Sequence, residues 1–250
     1  LSKNLKAFFV VKRKVFLIIT IQKKPMKKSL TISILVLLVI LQVTCQNPNK
    51  NNAHSENQKT LEPVQIERED GLNSAYFASG CFWCVEAIYE SVKGVEESIS
   101  GYSGGHTDNP TYEKSNTGKT GHAEAVEIIY NPEIISFKQL VSIYFGSQNI
   151  SQLNGQGNDR GSQYRSIIFY QNEEEKKIIN DQIEVLYQEN KNRIVAAEVM
   201  PFQKFWIAEK YHQNYERLHP NNPYIQNVSI PRLKRFQEKF PELLKENFKY

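Results

Sequence analysis

From Ser74 onward the chain falls into short stretches whose apolar residues follow either a strand or a helix period, separated by Gly, Asn and Pro. Tyr76-Phe77-Ala78 reads as a short buried strand. After Ser79-Gly80, Val85, Ile88, Tyr89 and Val92 recur at helical spacing, with Gly94 expected to close that helix. A strand is predicted over 95–102, a Gly-, Asn- and Pro-rich loop over 103–111, and a second strand over 122–130 that stops at Asn131-Pro132. Ser136 with Gln139 three positions later has the form of a capping box, opening a helix that carries Phe137, Leu140, Val141 and Tyr144. A loop over 146–162 leads to a strand over 163–170. A charged helix over 173–192 then turns Ile179, Ile183 and Leu186 inward, and a strand over 194–199 stops before Pro201. Residues 231–250 read as an amphipathic helical tail with Leu233, Phe236, Phe240 and Leu244 on its apolar side, and the sequence assigns that tail no chemistry.

Strands and helices mix without a strict βα repeat and without an internal repeat, which favours an α+β fold of two layers with a mixed sheet over a doubly wound one. A chain of 250 residues, 40% of them hydrophobic, can bury one sizeable core and still carry tails. The expected organisation is a leader over 1–45, a disordered tether over 46–73, a folded domain over 74–224 and the helical tail over 225–250. The tether is rich in Asn, Gln, Glu, Lys and Ser and has no apolar period.

The leader changes how the charge is read. Translation is expected to begin at Met26, because Lys12, Arg13 and Lys14 interrupt the apolar stretch before it. Met26-Lys27-Lys28 then forms a basic start, and 30–41 is an uncharged apolar run too short to span a bilayer comfortably. The run ends at Leu41-Gln-Val-Thr-Cys45, which resembles a bacterial lipoprotein processing site, although Gln42 and Thr44 stand where that pattern has a leucine and a small residue. The expectation is an exported protein, periplasmic or at the outer membrane, held to the membrane only by lipid on Cys45; plain signal cleavage and retention as an anchor are the alternatives. Residues 1–45 hold nine Lys or Arg and no acid, so removing them takes the net charge from +4 to −5. The basic balance therefore belongs to the leader, and nucleic acid is not an expected partner.

The chemistry concentrates in Gly80-Cys81-Phe82-Trp83-Cys84-Val85-Glu86, at a strand-to-helix junction. A thiol at the first turn of a helix faces unpaired N–H groups and the positive end of the helix dipole, which is expected to favour a thiolate nucleophile at Cys81. Cysteines three apart on a helical turn can also approach closely enough to bond. A stapling disulfide and half of a zinc site are the bland readings. The first closes too short a loop to restrain much chain entropy, and the second lacks another cysteine pair.

Six further blocks follow in order: Gly101-Tyr-Ser-Gly-Gly105, Asn109-Pro-Thr-Tyr112, Thr120-Gly-His-Ala-Glu-Ala-Val126, Gln152-Leu-Asn154, Gln163-Tyr-Arg-Ser166 and Ala208-Glu-Lys-Tyr-His-Gln213. Together with Gly80-Cys-Phe-Trp they resemble the type A peptide methionine sulfoxide reductases over about 76–224. The resemblance implies a ferredoxin-like two-layer α+β fold and reduction of S-methionine sulfoxide in oxidised proteins and peptides. It makes Cys81 the thiolate that attacks the sulfoxide sulfur and becomes a sulfenic acid. It makes Glu124 the acid that meets the sulfoxide oxygen, Tyr112 and Tyr164 hydroxyl donors to that oxygen, Phe82 and Trp83 the walls of a pocket for the substrate methyl group, and Asp159 an acidic residue that helps to position substrate and nucleophile.

Strand alternation supports the assignment of Glu124 independently, since it puts that carboxyl on the face of Val126 and Ile128, where burial raises a carboxyl pKa; Glu127 is the candidate for the opposite face. Taken singly, Tyr112 and Tyr164 read equally as half-buried core tyrosines, Phe82 and Trp83 as helix-start packing, and Asp159 as a turn aspartate. His122 and His212 are expected to support structure through hydrogen bonds.

Many members of that family have glycine where this chain has Cys84, and regenerate through cysteines near the C-terminus; here no cysteine follows Cys84. A subset carries the same Gly-Cys-Phe-Trp-Cys run, which implies that Cys84 resolves the sulfenic acid as a disulfide. The resemblance further implies no cofactor and no metal, recycling by a thioredoxin-like reductant or dithiothreitol, and a monomer. A second departure is Gln148-Asn-Ile-Ser151, where members usually read His-Asp-Pro-Thr, leaving that loop's shape open. Two other functions remain compatible with the motif alone: a thiol:disulfide oxidoreductase using the Cys-x-x-Cys pair, and a surface lipoprotein stapled by it.

Overall fold

The computed structural model describes residues 61–192, 194–246 and 248. The leader, Cys45 and the expected tether as far as residue 60 lie outside them. Among the described residues are eight strands: β1 (Asn73–Ser79), β2 (Val95–Ser103), β3 (Ala123–Tyr130), β4 (Gly155–Gln156), β5 (Asp159–Arg160), β6 (Ser166–Tyr170), β7 (Glu198–Pro201) and β8 (Phe205–Ile207). The helices are α1 (Phe82–Glu90), α2 (Tyr112–Asn116), α3 (Phe137–Gly146), α4 (Glu173–Glu189), α5 (Tyr215–Leu218) and α6 (Ile230–Lys239).

Six strands form one mixed sheet in the order β7-β6-β1-β3-β2-β8. Its four central strands are mutually antiparallel, and with α1 and α3 they make a split βαβ pair in which β6-β1-β3-β2 reproduces the ferredoxin-like order. β7 adds parallel to β6 and β8 antiparallel to β2. The fold is thus α+β, with helices on one face of a mixed sheet.

Strand alternation sorts the two faces. Phe77, Tyr102, Val126, Ile128 and Ile168 point into the main core with Val85, Ile88, Leu140, Val141 and Ile179 from the helices. Tyr76, Ala78, Ala123, Ala125, Ile167 and Phe169 point the other way, where Phe202 closes over them with its ring stacked on Tyr76 at 3.8 Å between centroids. The capping box at Ser136 and Gln139 is formed as the sequence predicts.

Several boundaries differ from the sequence expectation. α1 ends at Glu90 with Ser91 as its C-cap, and Gly94, at φ +80°, instead turns the chain into β2. Tyr164 lies in a single 3₁₀ turn, Ser162–Tyr164, ahead of β6 rather than within a strand. β7 starts at Glu198 and runs through Pro201, which the sheet tolerates because this is an edge strand. α4 stops at Glu189, and β8 has only three residues, too few to show a period. From residue 61 the expected tether is already engaged: Val64 N–H donates to Phe202 O at 2.8 Å, and Ile66 N–H to Gln171 Oε1 at 2.9 Å.

The tail docks on the body, as the apolar side of its helix allows, and is part of the core. Ile225, Leu233 and Phe236 are fully buried against α1 and α3, and the helix ends at Lys239 before a short turn, Pro241–Leu243. Main-chain bonds from Lys93 N to Leu243 O and from Lys245 N to Ser91 O tie the segment beyond it to the loop after α1. Phe236→Ala is therefore expected to cost about 3–5 kcal/mol of stability, read as a lower midpoint in urea unfolding; an unchanged midpoint would show the tail to be peripheral.

Candidate active site

The junction between β1 and α1 is made by Gly80, at φ +80°, where a Cβ would lie 2.5 Å from Gln156 Cβ. Only glycine both adopts that conformation without penalty and leaves that space. The turn sets Cys81 at the N-cap of α1, with no side-chain cap of its own. The first helical N–H, that of Phe82, donates to Glu124 Oε2 at 3.0 Å. The nucleophile candidate on α1 and the acid candidate on β3 are thereby fixed relative to each other by the helix start.

Both open into one cavity of about 260 Å³. Cys81, Phe82, Trp83, Tyr112, Glu124, Asp159 and Tyr164 all line it, so the seven residues that the sequence singled out there converge from α1, α2, β3, β5 and the turn before β6. Asn222 and Tyr224 complete the wall and were not singled out. Tyr224 lies where the sequence reading ended the domain; its hydroxyl donates to Asp159 Oδ2 at 2.6 Å and lies 3.8 Å from Cys84 Sγ. No local motif marks it, because its position depends on the packing of the C-terminal segment. Cys84 lies one turn further along α1, buried, and lines a neighbouring cavity of about 500 Å³.

Glu124 is buried, on the face of Val126 and Ile128, and burial raises its pKa to about 8 despite the opposing bond from Phe82 N–H. The negative charges of Asp159 and Cys84 push the same way. At neutral pH this carboxyl is a neutral acid aimed into a cavity. Glu127, on the other face, accepts from Ser74 Oγ and Tyr76 OH at 2.8 Å each.

The cysteines correct the sequence expectation. Burial pushes the Cys81 thiol well above its ordinary range, and the adjacent Cys84 sulfur, accepting a hydrogen bond from it, adds to the effect. The helix start does not reverse this, since its first N–H serves Glu124. Cys84 shifts the opposite way, to about 6, through that bond from Cys81 and through the charge of Arg232. The two buried sulfurs titrate as a pair, and the helix start alone does not make Cys81 a thiolate in the resting site. Burial likewise raises Tyr112 and Tyr164, which remain hydroxyl donors.

Behind the cavity, aromatic packing holds Trp83: its ring stacks on Tyr215 at 3.8 Å, and Nε1 donates to His212 Nδ1 at 3.1 Å. His212 also packs its ring at 4.6 Å from that of Tyr112. His122 lies elsewhere, accepting from Gly105 N at 3.1 Å and bonded to Thr107 O at 2.7 Å. Glu86, within the motif but not singled out, accepts from Ser100 Oγ and from Asn214 N–H and so joins α1 to the stretch before α5. The divergent Gln148–Ser151 loop is pinned, with Gln148 Oε1 accepting from Gln156 Nε2 at 3.1 Å and from Ser166 Oγ at 2.9 Å. Among the described residues, no group of three His, Cys, Asp or Glu is placed to hold a metal ion.

A buried cysteine with a second free cysteine one turn away, facing a neutral carboxyl and two phenols across an apolar-walled cavity, suits attack on a polar S=O group whose oxygen must be protonated. The comparisons agree on the class. The family model for peptide methionine sulfoxide reductase matches residues 73–244. The chain is 45% identical over 171 residues to a peptide methionine sulfoxide reductase MsrA of Sulfolobus acidocaldarius, covering 68% of this chain and 97% of that one. It is 46% identical to the enzyme of the same name from Pasteurella multocida, covering 68% and 98%. Among solved structures, methionine sulfoxide reductase A of Corynebacterium diphtheriae superposes with a TM-score of 0.55 at 29% identity, covering 64% of this chain and 82% of that one. Reduced Mxr1 of Saccharomyces cerevisiae superposes with a TM-score of 0.58 at 27% identity, covering 65% and 93%. This chain belongs to the peptide methionine sulfoxide reductase family, a family of oxidoreductases. The match to residue 244 takes in α6, which agrees with the buried tail and extends the resemblance beyond 76–224.

Proposed function

We propose that the chain reduces the S epimer of methionine sulfoxide, free or in peptides and proteins, with Cys81 as nucleophile, Glu124 as the acid at the oxygen and Cys84 as the resolving sulfur. The observation that carries the reading is the single cavity shared by Cys81 and a carboxyl that burial keeps neutral. As the sulfoxide binds, Cys81 loses its proton and its sulfur attacks the sulfoxide sulfur, while Glu124 gives its proton to the oxygen that the phenols of Tyr112 and Tyr164 polarise. Oxygen ends on Cys81 as a sulfenic acid; the substrate sulfur gains the electron pair and leaves as the thioether. Cys84 then attacks the Cys81 sulfur as thiolate: the S–S bond forms, the S–O bond breaks, and the oxygen leaves as water with the proton that Cys84 gave up, while Glu124 regains its proton from solvent. A thioredoxin-like dithiol, or dithiothreitol, returns the pair to the reduced state.

Phe82 and Trp83 form an apolar wall suited to the substrate methyl group, which supports selection between epimers by shape. The test is turnover of resolved sulfoxides by the purified chain with dithiothreitol: the S epimer is consumed and the R epimer spared. Equal turnover of both, or of neither, would refute the reading. Disulfide exchange alone requires no neutral acid, so Glu124→Gln separates the two activities by sparing exchange.

Cys84→Ser is expected to yield one equivalent of methionine and then stop when thioredoxin is the only reductant, scored by product per enzyme in a quench experiment. Continued thioredoxin-dependent turnover would remove Cys84 from the resolving role. The sequence pattern ending at Cys45 also supports export and lipid attachment there, and Cys45→Ser should abolish incorporation of labelled fatty acid.

A further inference from the structure

The C-terminal segment, to which the sequence assigned no chemistry, brings one charge into the neighbourhood of the redox pair. Arg232 on α6 is buried, 8% exposed. Its guanidinium donates from Nη1 to Ser79 O at 2.9 Å, from Nη2 to Ser79 Oγ at 2.8 Å and from Nε to Ser147 O at 3.1 Å. These acceptors are all neutral, so the bonds orient the cation without compensating its charge. They fasten it to the turn that launches α1, where Nη1 lies 3.6 Å from the position a Gly80 Cβ would occupy. Arg232 and Cys84 line the same cavity of about 500 Å³, separate from the one that receives the sulfoxide.

We propose that Arg232 is a positioning residue for the second sulfur: its buried guanidinium keeps Cys84 as the anion that attacks the Cys81 sulfenic acid. The assignment rests on Cys84 being the resolving sulfur, as proposed above. The resolving step balances with the groups present. The Cys84 thiolate supplies an electron pair to the Cys81 sulfur, the S–S bond forms, the S–O bond breaks, and the departing hydroxide takes a proton to leave as water. Without a neighbouring cation, a cysteine as buried as Cys84 would be a thiol at neutral pH and a poor nucleophile. Each element packed around Cys84 contributes a group. Cys81 on α1 adjoins it, the Tyr224 hydroxyl lies 3.8 Å from its sulfur but donates to Asp159, the Ser229 hydroxyl donates to Glu216, and Arg232 is the cation. Asp159, on β5, lines the same cavity with Arg235 and Lys239, and Glu124, on β3, faces the pair as a neutral acid.

The experiment is a rapid quench of the full chain with one equivalent of a peptide S-methionine sulfoxide between pH 5 and pH 10. Methionine and the Cys81–Cys84 disulfide are both followed, for the wild type, Arg232→Lys and Arg232→Met. In the wild type, the rate constant for the resolving step, taken from the delay of disulfide behind methionine, should be level above about pH 7, as expected for a Cys84 that ionises near 6. Arg232→Met should still deliver its equivalent of methionine. Its disulfide should form at least roughly tenfold more slowly at pH 7 and recover as pH rises, moving the midpoint up by about one unit or more. Arg232→Lys should stay near the wild type. An unshifted midpoint in Arg232→Met overturns the assignment, as does slowing by the same factor at every pH in both variants, since loss of hydrogen bonds alone would do that. Should Arg232→Met fail to fold, the wild type and Arg232→Lys still decide: a wild-type midpoint at pH 8 or above overturns it. No methionine from the wild type would instead refute the sulfoxide reductase reading.

Discussion

Cys81→Ser is expected to reduce turnover of peptide S-methionine sulfoxide to background, a loss on the order of 10⁴-fold or more. The reason is the bond that would have to form. Cysteine takes the substrate's oxygen onto sulfur as a sulfenic acid, whereas serine could take it only by making an O–O bond, for which the site offers no driving force. Geometry should survive the change, because serine is close in size and the backbone of this turn is set by Gly80 and by the bond from Phe82 N–H to Glu124. Unchanged circular dichroism with no methionine in a single-turnover quench is the expected pair of results. Residual turnover above a few per cent would move the nucleophile elsewhere.

Glu124→Gln is expected to slow methionine formation by about 10²- to 10³-fold, the usual scale for losing a general acid or an oxyanion donor. The amide is an isostere and can still accept from Phe82 N–H, so the helix start stays in register with β3. It can also donate a weak hydrogen bond to the sulfoxide oxygen, but it has no proton to transfer. Single-turnover rate constants for the two chains at neutral pH measure the difference. A loss of less than about fivefold would mean that Tyr112 and Tyr164 activate the oxygen without the carboxyl.

The comparison of sequence with structure is uneven in an instructive way. The central strands, the capping box at Ser136 and the convergence of Cys81, Glu124, Tyr112, Tyr164 and Asp159 were legible, because alternation and a dense motif series specify them locally. The ionisation of Cys81 was misread. Its helix-start position is real, but the N–H that would have stabilised a thiolate is bonded to Glu124, and the thiol is buried. Neither fact has a signature within the Cys-x-x-Cys run. Tyr224 and Arg232 were missed for a related reason: both are ordinary residues in an unremarkable amphipathic stretch, and only the docking of α6 against α1 brings them to the cysteines. Tyr164 was placed in a strand because no Gly or Pro interrupts Gln163–Tyr170, although Gly161 starts a 3₁₀ turn that delays β6 until Ser166.

The most direct test is the pH dependence of single-turnover methionine formation in the wild type. The reaction needs a proton on Glu124. The rate should fall above about pH 8, as the raised Glu124 pKa is passed and the acid is lost. Glu124→Gln should lack the alkaline limb. A wild-type rate that climbs through pH 8 to a plateau near pH 10, as unaided ionisation of Cys81 would give, would contradict the account.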